Sequence, residues 1–368
     1  MQDQSITRLD SAIMNDDYLF SQYNLVSTAL TNFLPQLPVS LHPGIYEDIL
    51  FHKHSANTDQ FDETALDHLV LEGHQKDALE ILRSQPSIIC TYHTGSFRLL
   101  NHYLAHLNIP LAIVLSGTVL KSEKESLIHQ ASSITAKNDN IGVRFIVAEE
   151  TNSLLQMIRA VKEGRSLVLY IDGNTGAGMD TSINDNSCII RFLHSSLHAR
   201  KGIAYLASRL KVPLISIANY RNTANASCMR FFKPCFVGNS TSEIVSTTQQ
   251  LYDNISPIVR DFPGQWEAWL YIHKVAVPSQ GKTITRFNTS KYNTYDQYIF
   301  NHRSFSIINH LGNCFLINKI QYVFYAIDKQ LYQFLKDSFS RPVKARNLPA
   351  AIYADLLNEK VIIPMSSS

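Results

Sequence analysis

The chain has 368 residues, of which 45% are hydrophobic and 17% charged, and its formal net charge is +2 at pH 7. This composition excludes a disordered or collagen-like chain, and the length predicts two domains. The five cysteines form no Cys-x-x-Cys pair, which favours reduced thiols over a zinc site. No run approaches the roughly 20 apolar residues of a membrane helix, and the first residues do not resemble a signal peptide, so we expect a cytoplasmic protein.

Helical and strand-like segments alternate from residue 64 to residue 260. The predicted helices cover residues 64–84, 95–107, 121–131, 151–163, 198–210 and 242–260, and the predicted strands cover 87–92, 110–116, 143–148, 166–172, 187–193, 213–219 and 227–237. Short apolar strands separated by helices are typical of crossover connections. The sequence therefore predicts an α/β fold with a mainly parallel sheet and helices on both faces.

A second, smaller unit follows a polar stretch. Residues 278–295 are rich in Ser, Thr, Asn and Lys and are predicted to form a linker between an α/β domain with N-terminal helices (1–277) and a small α+β domain (296–368). The predicted elements of the small domain are a hairpin over 304–317, a strand over 322–327, a helix over 329–339 capped by Asp328, a helix over 350–357 and a strand over 359–364.

The charge of the chain is unevenly distributed. Residues 281–368 carry 11 Lys and Arg against 5 Asp and Glu. This basic balance favours an anionic partner for the C-terminal part, with a solvated basic face as the alternative. No nucleic-acid motif accompanies it, so we expect no nucleic-acid partner.

Two predicted strands end at residues that could take part in catalysis, His93 and Asp172. His93 follows the strand over 87–92, and open α/β sheets bind ligands beyond the carboxyl ends of their strands. The near-neutral pKa of imidazole suits it to take a proton from a nucleophile. Asp172 ends another strand and precedes a glycine-rich loop over 173–178, which is neither a P-loop nor a dinucleotide fingerprint. The alternatives are a packed histidine and an ordinary surface turn.

Four blocks in order resemble the lipid A biosynthesis acyltransferases, the lauroyl and myristoyl transferases of the lysophospholipid acyltransferase superfamily. They are His93 with the helix after it, the strand and loop over 167–173, the strand, turn and small-residue helix over 191–213, and the Pro-x-Gln-Trp-x-x-Trp-x-x-x-His-Lys stretch over 263–274. The resemblance covers roughly residues 20–275 and implies acyl transfer from a thioester.

The resemblance implies a cosubstrate, an acceptor and a set of site residues. The acyl donor would be acyl carrier protein or acyl-coenzyme A, with no tightly bound cofactor and no metal, and the acceptor an amine or hydroxyl of a peptide, an amino acid or a lipid. His93 would be the general base, and loop N–H groups with basic residues would stabilise the oxyanion. The implied catalytic residues are His93 and Asp172, and the implied substrate-binding residues are Arg98, Gly95, Ser96, Gly173, Asn174 and Arg200.

The chain departs from the family pattern at Arg98, where the family has an acid that orients the histidine. A backbone carbonyl or another acid, for which Asp172 is the best candidate, would then orient His93, or Arg98 would bind a carboxylate of the acceptor. The third interpretation is a non-catalytic, acyltransferase-like binding protein in a biosynthetic pathway. Residues 296–364 resemble winged-helix peptide-recognition modules, which implies a peptide partner. Peripheral contact with the inner membrane stays an open alternative.

Overall fold

The computed structural model describes residues 9–60, 62, 64–122, 143–173, 186–277, 297–346 and 348–365. The chain divides into two compact units. Glu47–Ala268 forms the α/β unit, and Met1–Tyr46 together with Trp269–Ser368 forms the second unit. Among the described residues, no helix combines the length and the apolar character needed to cross a membrane.

The described elements are named in chain order. The helices are α1 (Ser11–Asn15), α2 (Asp17–Phe33), α3 (His42–Asp59), α4 (Gln75–Ser84), α5 (Leu99–His106), α6 (Gly117–Ser122), α7 (Ser153–Lys162), α8 (Gly202–Leu210), α9 (Thr241–Asp261), α10 (Lys329–Ser340) and α11 (Ala350–Asn358). The strands are β1 (Val70–Gly73), β2 (Ile88–Thr91), β3 (Leu111–Leu115), β4 (Arg144–Val147), β5 (Ser166–Tyr170), β6 (Ser187–Phe192), β7 (Ser195–Arg200), β8 (Leu214–Arg221), β9 (Ser227–Phe231), β10 (Gln297–Phe300), β11 (Phe305–His310), β12 (Asn313–Asn318), β13 (Val323–Ile327), β14 (Val343–Lys344) and β15 (Ile362–Pro364). Short 3₁₀ turns cover Val39–Leu41, Pro263–Gln265, Glu267–Leu270 and Ile272–Lys274.

A seven-stranded sheet organises the α/β unit. Its order is β1-β9-β8-β2-β5-β3-β4, and every neighbouring pair is parallel except β8 with β9. The predicted α/β fold with a mainly parallel sheet is thereby confirmed. Strand β2 lies between β8 and β5, with Ile88 in register with both Leu167 and Leu214. The end of β2 therefore lies beside the end of β5 on one side, whereas β8 on the other side continues beyond it to Arg221.

The core beneath the sheet explains why these segments fold as they do. All four residues of β2 are buried, as expected for a central strand of a parallel sheet. Helix α4 presents Ala78, Leu79 and Leu82 to a cluster that includes Ile89 and Ile215. Each fully buried Leu or Ile contributes about 1.5–3 kcal/mol relative to an exposed one. This packing fixes the strands whose ends carry the site.

Three predicted helices of the α/β unit begin later than expected. The prediction over 64–84 was wrong at its start, because residues 70–73 form strand β1 beside β9 and only α4 is helical. Residues 198–200 belong to β7, which pairs with β6 in a hairpin that turns at Leu193, where φ is +52°. The predicted helix over 95–107 begins only at Leu99. Most of the predicted helix over 121–131 lies outside the described residues.

The second unit contains two small antiparallel sheets, ordered β14-β10-β15 and β11-β12-β13. The predicted hairpin is present as β11 and β12, and the predicted helix as α10. The carboxylate of Asp328 caps α10 by accepting from the backbone N–H of Leu331 at 2.7 Å. The predicted linker over 278–295 lies outside the described residues.

Helices α1 and α2 belong to this second unit, whereas the sequence-based division placed them with the α/β domain. The contacts of α2 give the physical reason. Ser21 Oγ accepts from the backbone N–H of Asn309 at 2.9 Å, and Asn24 Oδ1 accepts from that of Ile307 at 3.4 Å. Side chains of α2 thus satisfy the free edge of β11, which would otherwise expose unpaired backbone groups.

A lysine is buried in the second unit. Lys319 is 1% exposed, and its ammonium donates to Ser27 Oγ at 2.7 Å and to the carbonyl oxygen of His302. Ser27 Oγ in turn lies 2.8 Å from His42 Nδ1. Burial lowers the pKa of Lys319 to about 7. Burial and the nearby Lys319 charge lower the pKa of His42 to about 3 and that of His302 to about 4.

These shifts predict how stability depends on pH. Lys319 keeps its ordinary pKa of 10.5 when unfolded, so the unfolded state binds more protons between about pH 7 and 10.5. The contribution of Lys319 to the free energy of unfolding should therefore rise with pH across that window, by at most about 1.4 kcal/mol per pH unit. Urea unfolding at pH 7, 8 and 9 should show this rise in the wild type relative to Lys319→Met. The exposed Lys344→Met variant should follow the wild type, and equal slopes in all three proteins would contradict the assignment.

Candidate active site

Two neighbouring strand ends place a histidine beside an aspartate. Strands β2 and β5 are parallel, and Thr91 lies in register with Tyr170. His93 and Asp172 each follow two residues later, so they lie side by side at the carboxyl edge of the sheet. His93 Nδ1 lies 2.8 Å from Asp172 Oδ1. The structure therefore joins the two residues that the sequence analysis placed in the catalytic centre.

The carboxylate of Asp172 is almost completely enclosed, with 2% of its side chain exposed. It accepts from the backbone N–H of His93 at 3.0 Å through Oδ2 and from the imidazole through Oδ1. A third donor is the indole N–H of Trp266, 2.6 Å from Oδ2. A buried carboxylate is stable only when donors of this kind replace its water. The orientation of Asp172 toward His93 is thus held from several sides.

The electrostatics of His93 reflect that neighbour. Burial lowers the pKa of the imidazole, whereas the charge and hydrogen bond of Asp172 raise it, and Glu267 raises it further. Arg98 acts in the opposite sense, and the net direction is upward. A hydrogen bond to a carboxylate places the proton on Nδ1 and leaves the lone pair on Nε2. Nε2 has no hydrogen-bond partner among the described residues, and the side chain is 22% exposed, so Nε2 can accept a proton.

Aromatic side chains hold the plane of the imidazole. The ring of Tyr170 stacks on His93 with centroids 4.4 Å apart, and Phe97 meets it edge-on at 4.9 Å. The guanidinium carbon of Arg98 lies 5.5 Å from the centroid of Phe97. Arg98 is therefore placed close to the site through Phe97, while Asp172 occupies the hydrogen-bonding position at Nδ1.

The loop after His93 approaches the backbone of β8 closely. Gly95 has φ +50°, and a Cβ at this position would lie 2.8 Å from Tyr220 Cα. The N–H of Gly95 donates to the carbonyl of Gln265 at 3.1 Å. Thr94 Oγ1 donates to the carbonyl of Asn219 at 2.6 Å. Only glycine fits this crossing, so Gly95 shapes the loop through its backbone.

Ser96 is enclosed in a separate polar cluster. It is 3% exposed, and its hydroxyl donates to the carboxylate of Asp59. The same carboxylate oxygen lies 2.6 Å from Arg221 Nη2. The hydroxyl of Ser96 is thus engaged within the protein, and the cluster ties the end of α3 to the loop and to the end of β8.

Of the remaining predicted substrate-binding residues, Gly173 lies beside His93, and Arg200 lies apart from His93 and Asp172. A Cβ at Gly173 would lie 3.9 Å from His93 Cε1, so Gly173 flanks the imidazole. Asn174 lies outside the described residues, as do 175–178 of the glycine-rich loop. Arg200 is exposed at the end of β7, outside the hydrogen-bonded pair.

Residues 265–267 are the part of the site whose contacts the sequence did not indicate. The N–H of Glu267 donates to the carbonyl of His93 at 2.9 Å, and Thr94 forms an isolated β-bridge with Trp266. The side chain of Gln265 accepts from the N–H of Arg221 and donates to its carbonyl, both at 2.7 Å. The segment therefore ties the ends of β2 and β8 together and brings Trp266 to Asp172. The Gln-Trp pair within 263–274 was the only signal in the sequence.

The described residues contain no group of three or more His, Cys, Asp or Glu side chains that could hold a metal ion. The site as described offers one imidazole, one carboxylate and a nearby guanidinium. No model of a protein family matches the chain, and no match is found among curated proteins either. The resemblance to acyltransferases therefore stays an expectation from the sequence motifs.

The close approach at Gly95 can be tested by substitution. Gly95→Ala adds both the strain of a positive φ and a clash with the backbone of Tyr220, whereas Gly164 has φ +83° and no atom within 4 Å of where a Cβ would lie. We expect Gly164→Ala to cost about 1 kcal/mol and Gly95→Ala clearly more, because only the second must displace a strand. Urea denaturation of both variants measures the difference. Equal losses would show that the loop can move away from β8 without cost.

Proposed function

We propose that the protein is an acyltransferase that moves an acyl group from a thioester to an amine or a hydroxyl. The observation that carries the proposal is the hydrogen bond between His93 Nδ1 and Asp172 Oδ1, with Nε2 left without a partner among the described residues. A buried acid that holds an imidazole in one tautomer is the arrangement of a general base. The order of motifs along the chain supports acyl transfer as the reaction.

The proposed reaction follows from that geometry. His93 Nε2 takes the proton of the acceptor amine or hydroxyl as its nitrogen or oxygen attacks the thioester carbonyl. A new N–C or O–C bond forms, and the carbonyl oxygen becomes an oxyanion. The C–S bond then breaks, and the imidazolium returns the proton to the departing thiolate, which leaves as a thiol. Asp172 stabilises the imidazolium between the two steps.

The acid of this dyad comes from β5, whereas in the family pattern it lies on the helix after the histidine. Asp172 occupies Nδ1 of His93, so the acid expected at the position of Arg98 is not needed there. Of the three interpretations of Arg98, this geometry favours the first, in which Asp172 orients His93. It is compatible with the second, because a guanidinium near the base can bind an anionic acceptor.

The donor in this proposal is acyl carrier protein or acyl-coenzyme A, and neither would be tightly bound. Gly173 flanks the imidazole, and backbone N–H groups of a glycine-rich loop are suited to an oxyanion. Arg98 would add positive charge near the developing oxyanion or near a carboxylate of the acceptor. Arg200 stays a proposed contact for the donor, since it is exposed and basic.

A peptide acceptor has separate support in the second unit. Among the residues that the structure describes, strand β13 pairs only with β12, and Val323, Phe324 and Tyr325 are exposed. The opposite edge of this sheet, at β11, is satisfied by side chains of α2. An open, apolar edge strand can bind an extended peptide as an additional strand. This is the proposed role of residues 296–364.

A non-catalytic binding protein is the second candidate function, and the observation that favours it is Arg98. Its positive charge lowers the pKa of His93 and replaces the acid of the family pattern. The two candidates differ in whether His93 Nε2 ever moves a proton.

Acyl transfer can be measured directly. The wild-type protein, incubated with acyl-coenzyme A or acyl carrier protein of several chain lengths and with amine or peptide acceptors, should yield acylated product in mass spectrometry. His93→Ala should abolish the product, and Asp172→Asn should slow transfer by about 10²–10⁴-fold, because the imidazole loses its orienting acid. His106→Ala, an exposed histidine on α5, is the matched control and should be unaffected. Transfer at the wild-type rate in His93→Ala would remove His93 from the mechanism.

The role of Arg98 predicts a difference between acceptors. Arg98→Ala should raise KM for an amino acid by about tenfold or more and change KM for the corresponding amino-acid amide much less, because only the first carries a carboxylate. Arg98→Lys should restore KM only in part, since the bidentate geometry is lost. The measurement is steady-state kinetics with both acceptors. An identical effect on the two acceptors would contradict carboxylate binding by Arg98.

A further inference from the structure

The indole of Trp266 contacts the carboxylate of Asp172. Its side chain is 1% exposed, and its indole N–H donates to Asp172 Oδ2 at 2.6 Å. The other oxygen, Oδ1, faces His93 Nδ1 at 2.8 Å. The two oxygens of one carboxylate thus have two different side-chain donors, one neutral and one titratable.

The indole is itself held firmly. The ring of Phe192 lies 5.0 Å from that of Trp266, and Phe192 also packs against Tyr252 at 5.6 Å. The hydroxyl of Tyr252 donates to the carbonyl of Ile171, next to Asp172. The backbone on either side of Trp266 is bonded to the His93 loop through Gln265 and Glu267. An indole fixed at this many points keeps its N–H directed at one oxygen.

We propose that Trp266 is a positioning residue, whose N–H, together with the backbone N–H of His93, occupies Oδ2 of Asp172, so that only Oδ1 bonds the imidazole of His93. A hydrogen bond from a neutral donor offsets part of the negative charge of a carboxylate. Asp172 then stabilises protonated His93 less than an unrestrained buried carboxylate would, and the imidazole remains free to take a proton. As a statement about catalysis, this inference rests on the proposed function, but the contact acts on His93 whether or not acyl transfer occurs.

The other charged groups near His93 shift its pKa in different directions. The negative charge of Glu267 raises the pKa of His93, and the positive charge of Arg98 lowers it. Lys53 pairs with Glu267 at 3.4 Å. The phenol of Tyr170 belongs to the ring stacked on the imidazole. The indole N–H of Trp266 is directed at Asp172 rather than at any of these groups, so its loss reaches His93 through Asp172.

The test is an NMR titration of the full chain labelled in its histidines and tryptophans. The signal of His93 is identified by its loss in His93→Gln, and the chain has only two tryptophans, so the indole of Trp266 is identified by its loss in Trp266→Phe. We expect Trp266→Phe to move the pKa of His93 upward from its wild-type value, because the carboxylate of Asp172 then loses a neutral donor that offsets part of its negative charge. Asp172→Asn should move it downward. In the wild type, the indole proton of Trp266 should shift as His93 titrates.

Phe192→Leu is the matched control, because it removes packing against Trp266 and keeps the N–H. It should leave the pKa of His93 near the wild-type value. An unchanged or lowered pKa in Trp266→Phe, or a shift of the same size and sign in Phe192→Leu, would overturn the inference. If the wild type transfers no acyl group but the pKa still rises in Trp266→Phe, the positioning role stands and the proposed function fails. Where transfer is active, the acidic limb of the kcat/KM profile should move to higher pH in Trp266→Phe.

Discussion

The buried carboxylate of Asp172 is the constraint on which the site depends. It sits at the end of β5, yet its donors come from the loop after β2 and from Trp266, 94 residues away in sequence. A charge with 2% exposure is tolerated only when each of these donors is in place. The carboxylate is satisfied only when the end of β5, the loop after β2 and Trp266 come together in this one arrangement. The same arrangement orients His93.

The parallel sheet makes this arrangement possible, because it brings strand ends to one edge. The His93 loop must still lie close against β8, and Gly95 permits this by presenting no side chain to Tyr220. The polar cluster of Ser96, Asp59 and Arg221 fixes the other side of the same loop. Two sets of contacts thus restrain four consecutive residues, so the orientation of the imidazole is set by contacts within the protein.

Much of the sheet was predictable from sequence, since apolar runs such as 87–92 and 166–172 report local burial. That His93 and Asp172 both follow such runs was also readable, and the parallel register of β2 and β5 then brings them together. The donor from Trp266 was not predictable, because periodicity carries no information about a partner 94 residues away. The same limit explains why the sequence-based division grouped α2 with the α/β domain. Nothing in the sequence around Ser21 and Asn24 indicates that they bond the edge of β11.

In the proposed mechanism the acid beside His93 is Asp172, at the end of β5, whereas the family pattern that the sequence resembles would place an acid at the position of Arg98. A helix position shortly after a histidine and the end of the adjacent strand can both reach Nδ1, so the geometry of the imidazole does not require the acid on the helix. Once β5 supplies it, the helix position is available for a cation. The positive charge of Arg98 lowers the pKa of His93, whereas Asp172 raises it. By our inference, the hydrogen bond from Trp266 reduces the increase that Asp172 causes. The two charges thus act on the pKa of His93 in opposite directions, and in the proposed mechanism this imidazole both takes a proton and returns it.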